Sequence, residues 1–185
     1  MEYAPMIYIK EYPTHEKVKQ LFDYKDGNLY WKQRPLSDFK TPQGHGAFNA
    51  KLVGKKACGQ IIDNYEKVKL DKKYYFTHRL IYIWHFNDLT VNHEVDHIDN
   101  NPSNNDISNL RIATRTENIR NTIISSKNKS GIKGVSFDTA RKKWMAQIKH
   151  GDMHIRKRFN NIDDAESFIK SLRISLHGDF HNHGV

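Results

Sequence analysis

The sequence predicts an α+β protein in which a central strand–strand–helix (ββα) unit is preceded by β-hairpins and a helix and followed by a small three-stranded antiparallel sheet with one helix. Two observations carry this prediction. Short runs of alternating apolar and polar residues are separated by turn residues, as in hairpins. Two other stretches, one beginning near Thr77 and one near Asp163, have apolar residues at the spacing of an amphipathic helix.

The first third of the chain contains several predicted elements and one predicted loop. His15 to Phe22 has apolar residues at helical spacing, and Tyr24 to Trp31 predicts a hairpin because an Asp-Gly pair at its centre favours a tight turn. Residues 33–50 are rich in Pro, Gly, Asn and Lys and predict a flexible loop. Residues 60–76 predict a second hairpin, after which Thr77 is expected to cap a helix that packs against the ββα unit.

The central unit is predicted from a strand, a loop, a strand and a helix in that order. Residues 95–98 form a strand-like run, and residues 100–105 are dense in turn-forming Asn, Pro and Ser. Residues 110–112 alternate like a second strand. Thr114 and Glu117 have the spacing of a capping box, which predicts that a short helix begins there.

Three side chains of this unit are of types that bind metal ions or transfer protons. Asp96 and His97 are adjacent on the first strand, and Asn118 falls in the first turn of the helix. Carboxylate and carboxamide oxygens are hard ligands that suit magnesium or manganese, and histidine suits proton transfer near neutral pH. The set predicts a one-metal site that cleaves phosphodiester bonds. His78 and His85 are interpreted as structural or exposed residues.

These residues resemble the HNH endonucleases with a ββα-metal site, and the cysteine-free subgroup of phages and mobile introns is nearest. The resemblance is carried by Val95-Asp96-His97-Ile98-Asp99, Asn105, Asn109-Leu110-Arg111 and Glu117-Asn118. It implies that His97 is the general base, that Asp96 and Asn118 hold one divalent cation, Mg²⁺ or Mn²⁺, and that Asn109 pins the loop so that His97 points correctly. No structural zinc is expected, since Cys58 is the single cysteine.

The C-terminal part predicts three strands, in residues 131–137, 143–149 and 154–159, followed by a helix. Asp163 and Glu166 are expected to form a second capping box, and Gly178 suits the C-terminal cap. His177, His181 and His183 near the end are interpreted as part of a disordered polar tail, not as a metal cluster.

This C-terminal part resembles the APETALA-two type DNA-binding domain. The resemblance is carried by Ser130-Gly131-Ile132-Lys133-Gly134-Val135, Lys143-Trp144, Arg158-Phe159, Ala165 and Leu176-His177-Gly178-Asp179-Phe180. It implies that the three-stranded sheet lies in the major groove and that the DNA-binding candidates are Arg141, Lys143, Trp144, Gln147, Lys149, Arg156 and Arg158. Strand alternation leaves two alternatives for Trp144, a base contact or a core residue. Lys127 and Lys129 are candidates for phosphate contacts from a linker.

Composition agrees with a polyanionic partner. The chain has 30 basic and 21 acidic residues, a formal net charge of +9. The charge is uneven, with +3 on residues 1–121 and +6 on residues 122–185. There is no apolar run of the ~20 residues that a membrane span needs, and residues 1–5 lack the pattern of a secretory signal. An intracellular protein, encoded by a phage or mobile element, is expected.

The sequence therefore predicts a metal-dependent, homing-type DNA endonuclease, with a non-catalytic sequence-specific DNA-binding regulator as the alternative. An RNA-binding protein is the weaker rival, because no aromatic-rich motif for single-stranded RNA is present. Double-stranded DNA is the expected partner, and a homodimer is expected if both strands are cut. The predicted domains are an accessory, DNA-contacting region (1–76), the HNH unit (77–121), a linker (122–130), the DNA-binding domain (131–180) and a tail (181–185).

Overall fold

The computed structural model describes residues 12–87 and 93–184. The chain divides into two compact units, residues 1–112 and residues 113–185, and each is described by itself. Both combine helices with small antiparallel sheets, which confirms the predicted α+β class. Within the described ranges, no helix has both the length and the apolar character that a bilayer span requires. Residues 1–5, for which no secretory signal was predicted, lie outside those ranges.

The first unit is built from short elements. They are α1 (His15–Leu21), β1 (Phe22–Lys25), β2 (Asn28–Trp31), α2 (Pro42–Leu52), β3 (Gln60–Ile62), β4 (Tyr65–Leu70), β5 (Lys73–Phe76), α3 (Thr77–His85) and β6 (His93–His97), with residues 110–112 of β7 (Leu110–Thr114). β1 pairs with β2, β3, β4 and β5 form a three-stranded antiparallel sheet, and β6 pairs with β7.

Helix α3 lies at the centre of the first unit. Leu80 and Ile81 are completely buried, and the same core cluster contains Phe22 of the first hairpin, Val68 of the three-stranded sheet and Val95 of β6. Burial of each large aliphatic or aromatic side chain stabilises the fold by about 1.5–3 kcal/mol. The predicted packing of this helix against the strand that carries Asp96 and His97 is therefore observed.

The predicted flexible loop at residues 33–50 is wrong, because α2 occupies much of it. Thr41 Oγ1 accepts a hydrogen bond from the backbone N–H of Gly44, and Pro42 starts the helix with a preset φ. Phe48 packs edge-to-face on Trp31 with ring centroids 5.2 Å apart. The cap and this tertiary contact stabilise a segment whose two glycines and Pro suggested a loop.

The second predicted hairpin is a three-stranded meander. Asp63 and Asn64 have φ of 51° and 65°, and Asp71 and Lys72 have φ of 44° and 68°. Two consecutive residues at positive φ form the tight turns that match the twist of paired strands. The turn at Asp63 was missed, and Thr77 does not cap α3: it is the first helical residue, and its Oγ1 has no hydrogen-bond partner among the described residues.

The second unit is a three-stranded sheet covered on one face by a helix. Its elements are α4 (Arg115–Arg120), β8 (Val135–Asp138), β9 (Lys143–His150), β10 (Met153–Phe159) and α5 (Ile162–His177), and β9 is the central strand. Ala165 and Ile169 of α5 are completely buried against Ala146 and Val135 of the sheet. The predicted strands and the apolar stripe of the helix are confirmed.

Two details of this unit differ from the sequence prediction. The capping residue of α5 is Asn161, whose side-chain oxygen accepts from the Asp164 N–H at 2.7 Å, so the predicted capping box of Asp163 and Glu166 is wrong. The predicted disordered tail is also wrong for residues 181–184. His183 Nδ1 lies 3.0 Å from the buried Arg173 guanidinium, and the carbonyl of Gly184 accepts from the Ile124 N–H.

The Asn161 cap can be tested by comparing two alanine substitutions. Asn161→Ala is expected to lower the free energy of unfolding by about 1 kcal/mol, because the first turn of α5 loses its acceptor. Asp163→Ala removes a first-turn charge without removing the cap and should cost about 0.3 kcal/mol. Guanidinium titrations followed by circular dichroism measure both values, and a larger cost for Asp163→Ala would contradict the assignment.

Candidate functional site

The predicted site residues Asp96 and His97 form the end of β6, and the loop of residues 98–109 returns the chain to β7. Both side chains are buried, with 6% and 5% of their surface exposed. The strand places them there because Val95 packs into the core cluster while the loop folds back over the end of the strand. A carboxylate and an imidazole that are adjacent in sequence are therefore both held in desolvated positions.

The imidazole of His97 has a defined hydrogen-bond partner. Its Nε2 lies 3.0 Å from Oδ1 of Asn105, a loop residue that is also buried. A carboxamide oxygen only accepts hydrogen bonds, so Nε2 carries the proton and Nδ1 keeps its lone pair in the neutral ring. The contact therefore fixes both the orientation of the ring and the nitrogen that can accept a proton.

A network of side chains closes the loop. Asn109 Nδ2 donates to Asp99 Oδ1 at 2.9 Å and to the Asn104 carbonyl, while Asn109 Oδ1 accepts from the Asp99 N–H. Asn104 Nδ2 donates to the other carboxylate oxygen of Asp99. Burial raises the pKa of Asp99, but the hydrogen bonds from Asn104, Asn101 and Asn109 outweigh it and hold the pKa below its ordinary value.

Asp96 is paired with a residue of the neighbouring strand. Arg111 of β7 contacts Asp96 Oδ2 through Nε at 3.0 Å and through a terminal nitrogen at 2.9 Å. Both nitrogens contact the same carboxylate oxygen, so the ion pair anchors that oxygen of Asp96. The pair therefore restrains the predicted metal ligand from the neighbouring strand.

Aromatic rings surround His97 on the side of the three-stranded sheet. His78, the second residue of α3, contacts the His97 ring edge-to-face at 4.8 Å, and the Tyr65 ring lies 5.9 Å away. Burial, with the charge of His97 and Arg79 as lesser causes, lowers the pKa of His78 well below its ordinary value. His78 is therefore a neutral ring that packs against His97.

The first hairpin supports the loop that carries Asn105. The Tyr24 hydroxyl accepts hydrogen bonds from the N–H of Gly27 at 3.2 Å and of Ile107 at 3.1 Å. Gly27 has φ of +73°, and a Cβ built on it would lie 3.0 Å from the Asp106 nitrogen and 3.2 Å from the Asn105 carbonyl carbon. A glycine is required for this close approach, so the hairpin positions the partner of His97.

The donor set suits a hard divalent cation in part. The described residues contain no group of three or more His, Cys, Asp or Glu that could hold a metal ion. Asp96, in the first unit, carries a carboxylate. Asn118 carries a carboxamide and lies in α4, where the predicted capping box of Thr114 and Glu117 is confirmed. Asn118 belongs to the second unit and is the fourth residue of that helix. Oxygen donors of this kind fit Mg²⁺ or Mn²⁺.

Five of the predicted DNA-binding residues, Lys143, Gln147, Lys149, Arg156 and Arg158, share the uncovered face of the second unit's sheet, and Arg141 lies in the turn before β9. The register places Arg156 opposite Gln147 and Arg158 opposite Met145, and alternation adds Lys143 and Lys149 to the same face. Trp144 lies on the other face, half-buried against the core cluster. The hydrogen bond from Arg158 is the main cause that lowers the pKa of Asp138, which also pairs with Arg141. Lys127 and Lys129 are exposed in an irregular segment.

Comparison with known proteins places this geometry in a family. Residues 75–120, which include α3, the loop and all of α4, match the family described as HNH endonuclease. Over 86 residues the chain is 34% identical to Protein 3.8 of Escherichia phage T7, an alignment that covers 46% of this chain and 71% of that protein. The chain belongs to the HNH endonuclease family.

A second relative has the family in its name. Over 86 residues the chain is 35% identical to an uncharacterized HNH endonuclease of Acanthamoeba polyphaga mimivirus, and the alignment covers 46% of this chain and 44% of that protein. The chain thus spans less than half of that relative. No solved structure matches it. The homing-type subgroup and the APETALA-two type assignment of the second unit stay predictions.

The HNH site contains contacts that sequence reasoning missed. Asn105 was part of the recognised motif, but its hydrogen bond to His97 was not predicted. The support from Tyr24 and Gly27 joins residues about 80 positions apart in sequence. The Asp-Gly turn was visible in the sequence, but its contact with the loop depends on tertiary packing that no local signal shows.

The close approach of Gly27 predicts a difference between two glycines. Gly27 and Gly54 both have φ of +73°, so alanine at either costs about 1–2 kcal/mol of backbone strain. Only at Gly27 does the new Cβ meet backbone atoms, whereas nothing lies within 4 Å at Gly54. Gly27→Ala should therefore lower the free energy of unfolding by at least about 1 kcal/mol more than Gly54→Ala. Equal losses in urea titrations would show that the hairpin does not press on the loop.

The lowered pKa of Asp99 predicts a pH dependence. Because its pKa is lower in the folded state, Asp99 contributes stability above its ordinary pKa of about 3.9, and that stability is lost as the pH falls through the folded value. Asp99→Asn should cost about 1 kcal/mol at pH 7 and much less at pH 2.5. Denaturant titrations of both proteins at the two pH values measure this, and a cost that does not change with pH would contradict the explanation.

Proposed function

We propose that this protein is a metal-dependent DNA endonuclease that hydrolyses phosphodiester bonds with His97 as general base. The observation that carries the proposal is the hydrogen bond from His97 Nε2 to Asn105 Oδ1, because it assigns the proton of the neutral ring to Nε2 and makes Nδ1 the proton-accepting nitrogen. Membership of the HNH family supports the reaction type. The position of Asp96 beside His97 supports the use of a cation at the same place.

In the proposed mechanism, His97 Nδ1 removes a proton from a water molecule, which attacks the phosphorus in line. The carboxamide of Asn105 stabilises the tautomer that accepts this proton. Asn109 acts through the loop, since its bonds with Asp99 and Asn104 keep Asn105 and His97 in place. Products with a 5′-phosphate and a 3′-hydroxyl are implied by the resemblance to this family.

HNH nucleases generally use a divalent metal ion, and we propose Asp96 and Asn118 as its ligands here. A bound Mg²⁺ or Mn²⁺ would stabilise the negative charge that develops on the leaving 3′ oxygen. Two nitrogens of Arg111 contact Oδ2 of Asp96. We infer that this ion pair restrains the carboxylate that would bind the ion.

The HNH family acts on DNA, and we propose that the sheet of the second unit supplies part of the binding surface. Lys143, Lys149 and Arg156 lie on its uncovered face and are the best candidates for phosphate contacts. Arg141 and Arg158 both form ion pairs with the carboxylate of Asp138, whose negative charge reduces the positive potential that these two arginines present to DNA. Gln147 lies on the central strand β9, between Lys143 and Lys149 and opposite Arg156, and is the candidate for a base contact.

The biological setting is proposed by resemblance. One set of His97, Asp96 and Asn118 per chain is expected to cut one strand per encounter, so a double-strand break would require a homodimer or two successive nicks. Relatives from a bacteriophage and a giant virus support a viral or mobile-element source. A homing-type enzyme is the most specific form of this proposal. The rival is a regulator that binds DNA without cutting it.

A plasmid-cleavage assay distinguishes the nuclease from the regulator. The wild-type chain should nick or linearise supercoiled DNA with Mg²⁺ or Mn²⁺ and lose this activity with a chelator. His97→Ala should reduce cleavage by at least about 100-fold, the usual contribution of a general base, with nearly unchanged DNA binding. His15→Ala, a change at a histidine of α1 far from the site in sequence, serves as the matched control.

The assay also identifies the outcomes that contradict the proposal. If His97→Ala weakens binding as much as cleavage, His97 is structural. If both proteins bind duplex DNA and neither cuts it with any divalent ion, the regulator is the better description.

A further inference from the structure

We propose that the first unit has its own DNA-contacting surface, the outer face of the β3–β4–β5 sheet, which binds backbone phosphates next to the cleaved bond through Lys67 and Lys69. The outer face comprises Gln60, Ile62, Tyr65, Lys67, Lys69, Tyr74 and Phe76. The inference rests on the proposed nuclease function and adds a substrate-binding surface to it. The sequence predicts a DNA-contacting region in residues 1–76 but does not identify this sheet.

The composition of the outer face follows from strand alternation. Tyr65, Lys67 and Lys69 are alternate residues of β4 and share one side of the sheet. Val68 and Leu70 project to the other side, where they are buried in the core cluster. Residues directly opposite each other in an antiparallel pair lie on the same face, so the register adds the remaining members. These are Gln60 and Phe76, both opposite Lys67, Ile62, opposite Tyr65, and Tyr74, opposite Lys69.

The outer face carries positive charge without a compensating carboxylate. Within the described residues neither Lys67 nor Lys69 has an acidic partner, and Glu66 projects to the opposite side, where it pairs with Lys56. The Lys67 ammonium lies 4.7 Å from the centroid of the Phe76 ring, and the Lys69 ammonium lies 5.6 Å from that of Tyr74. Cation–π contacts hold each ammonium over a ring without neutralising its charge. A phosphate backbone is the complementary ligand.

The outer face is continuous with the candidate base. The ring of Tyr65 lies 5.7 Å from that of Phe76 and 5.9 Å from that of His97. Phe76 also stacks on His78 at 5.3 Å, and His78 contacts His97. All of these residues belong to the first unit. A DNA strand whose phosphate reaches His97 therefore has an aromatic and basic surface directly beside it.

The spacing of the two lysines fits a duplex. Residues two apart on a strand are separated by about 6.8 Å. The phosphates of one strand of a duplex advance by about 3.4 Å per nucleotide along the helix axis. Because the backbone also winds around that axis, successive phosphates lie farther apart than this rise, and Lys67 and Lys69 can therefore contact neighbouring phosphates of one strand. Tyr74 and Gln60 at the margins offer further hydrogen-bonding groups to the sugar–phosphate backbone.

The test compares two pairs of lysines in the same β4–β5 hairpin of the full-length chain. Lys67→Gln with Lys69→Gln removes both charges from the outer face. Lys72→Gln with Lys73→Gln removes the same charge from the turn and from the opposite face, since Lys73 pairs with the buried Leu70. Lys67→Arg with Lys69→Arg keeps the charge and shows whether the outer face tolerates substitution. Circular dichroism and thermal unfolding confirm that each variant folds.

Binding is measured by fluorescence anisotropy with a labelled random-sequence duplex in the presence of a chelator, from 0.05 to 0.3 M salt. Cleavage of supercoiled plasmid is measured in parallel. Each lost phosphate contact reduces the salt slope by about 0.9 and affinity about fivefold near 0.15 M salt. The Lys67 and Lys69 double glutamine variant should therefore bind about 30-fold more weakly, with a slope lower by about 2, while the arginine variant stays near wild type.

The outcomes separate the inference from the nuclease proposal. If the Lys67 and Lys69 double glutamine variant binds duplex DNA as tightly as the wild-type chain, which itself binds and cuts DNA, the outer-face inference is overturned and the nuclease proposal stands. An equal loss in both pairs would also overturn it, because general charge would then explain the effect. The same anisotropy assay is run with a labelled single-stranded oligonucleotide. If the Lys67 and Lys69 double glutamine variant loses affinity for the single strand only, while cleavage persists, the assignment of a duplex as the ligand is overturned. A wild-type chain that binds no duplex would overturn both proposals.

Discussion

The hydrogen bond between His97 and Asn105 is the contact on which the rest of the site depends. A histidine at the end of a strand has two nitrogens of similar chemistry, and only a partner of fixed polarity makes them different. Asn105 supplies an acceptor at 3.0 Å, so one nitrogen keeps its proton and the other is left basic. Because both side chains are buried, water does not compete for this bond. Every support of the loop therefore acts on the chemistry through Asn105.

The contacts that support the loop are of two kinds, and together they explain how a small unit holds an ordered site. Asp99, Asn104 and Asn109 close the loop with local hydrogen bonds, which involve exposed side chains and are worth about 1 kcal/mol each. Tyr24 and Gly27 add a contact from the first hairpin, which belongs to the core cluster around α3. The local bonds define the shape of the loop, and the hairpin fixes its position relative to the core.

Much of this fold was predictable, because its signals are local. The capping box of Thr114 and Glu117, the Asp-Gly hairpin and the stripe of α5 all depend on residues within a few positions of each other. The sequence predictions were wrong where tertiary contacts override composition, as in α2. They were also wrong where two nearby residues both have the chemistry of a helix cap, as Asn161 and Asp163 do at the start of α5. The candidate site divides in the same way. Asp96, His97 and Asn118 were found as a motif, whereas the role of Asn105 depends on loop closure and that of Gly27 on packing between distant segments.

The two three-stranded sheets of the chain present basic residues in different ways, and the difference bears on how each would bind DNA. In the second unit, Asp138 accepts from both Arg141 and Arg158, so two of its arginines have a partner before any ligand arrives. A phosphate must displace that carboxylate, which reduces the gain from binding and favours contacts that fit well. On the outer face of the first unit, Lys67 and Lys69 lie over aromatic rings, which leave their full charge available. Phosphate binding there displaces counterions only, so it depends on salt more than on sequence. Selective contacts therefore belong to the second unit, while the outer face beside His97 is suited to hold any strand that the second unit has selected.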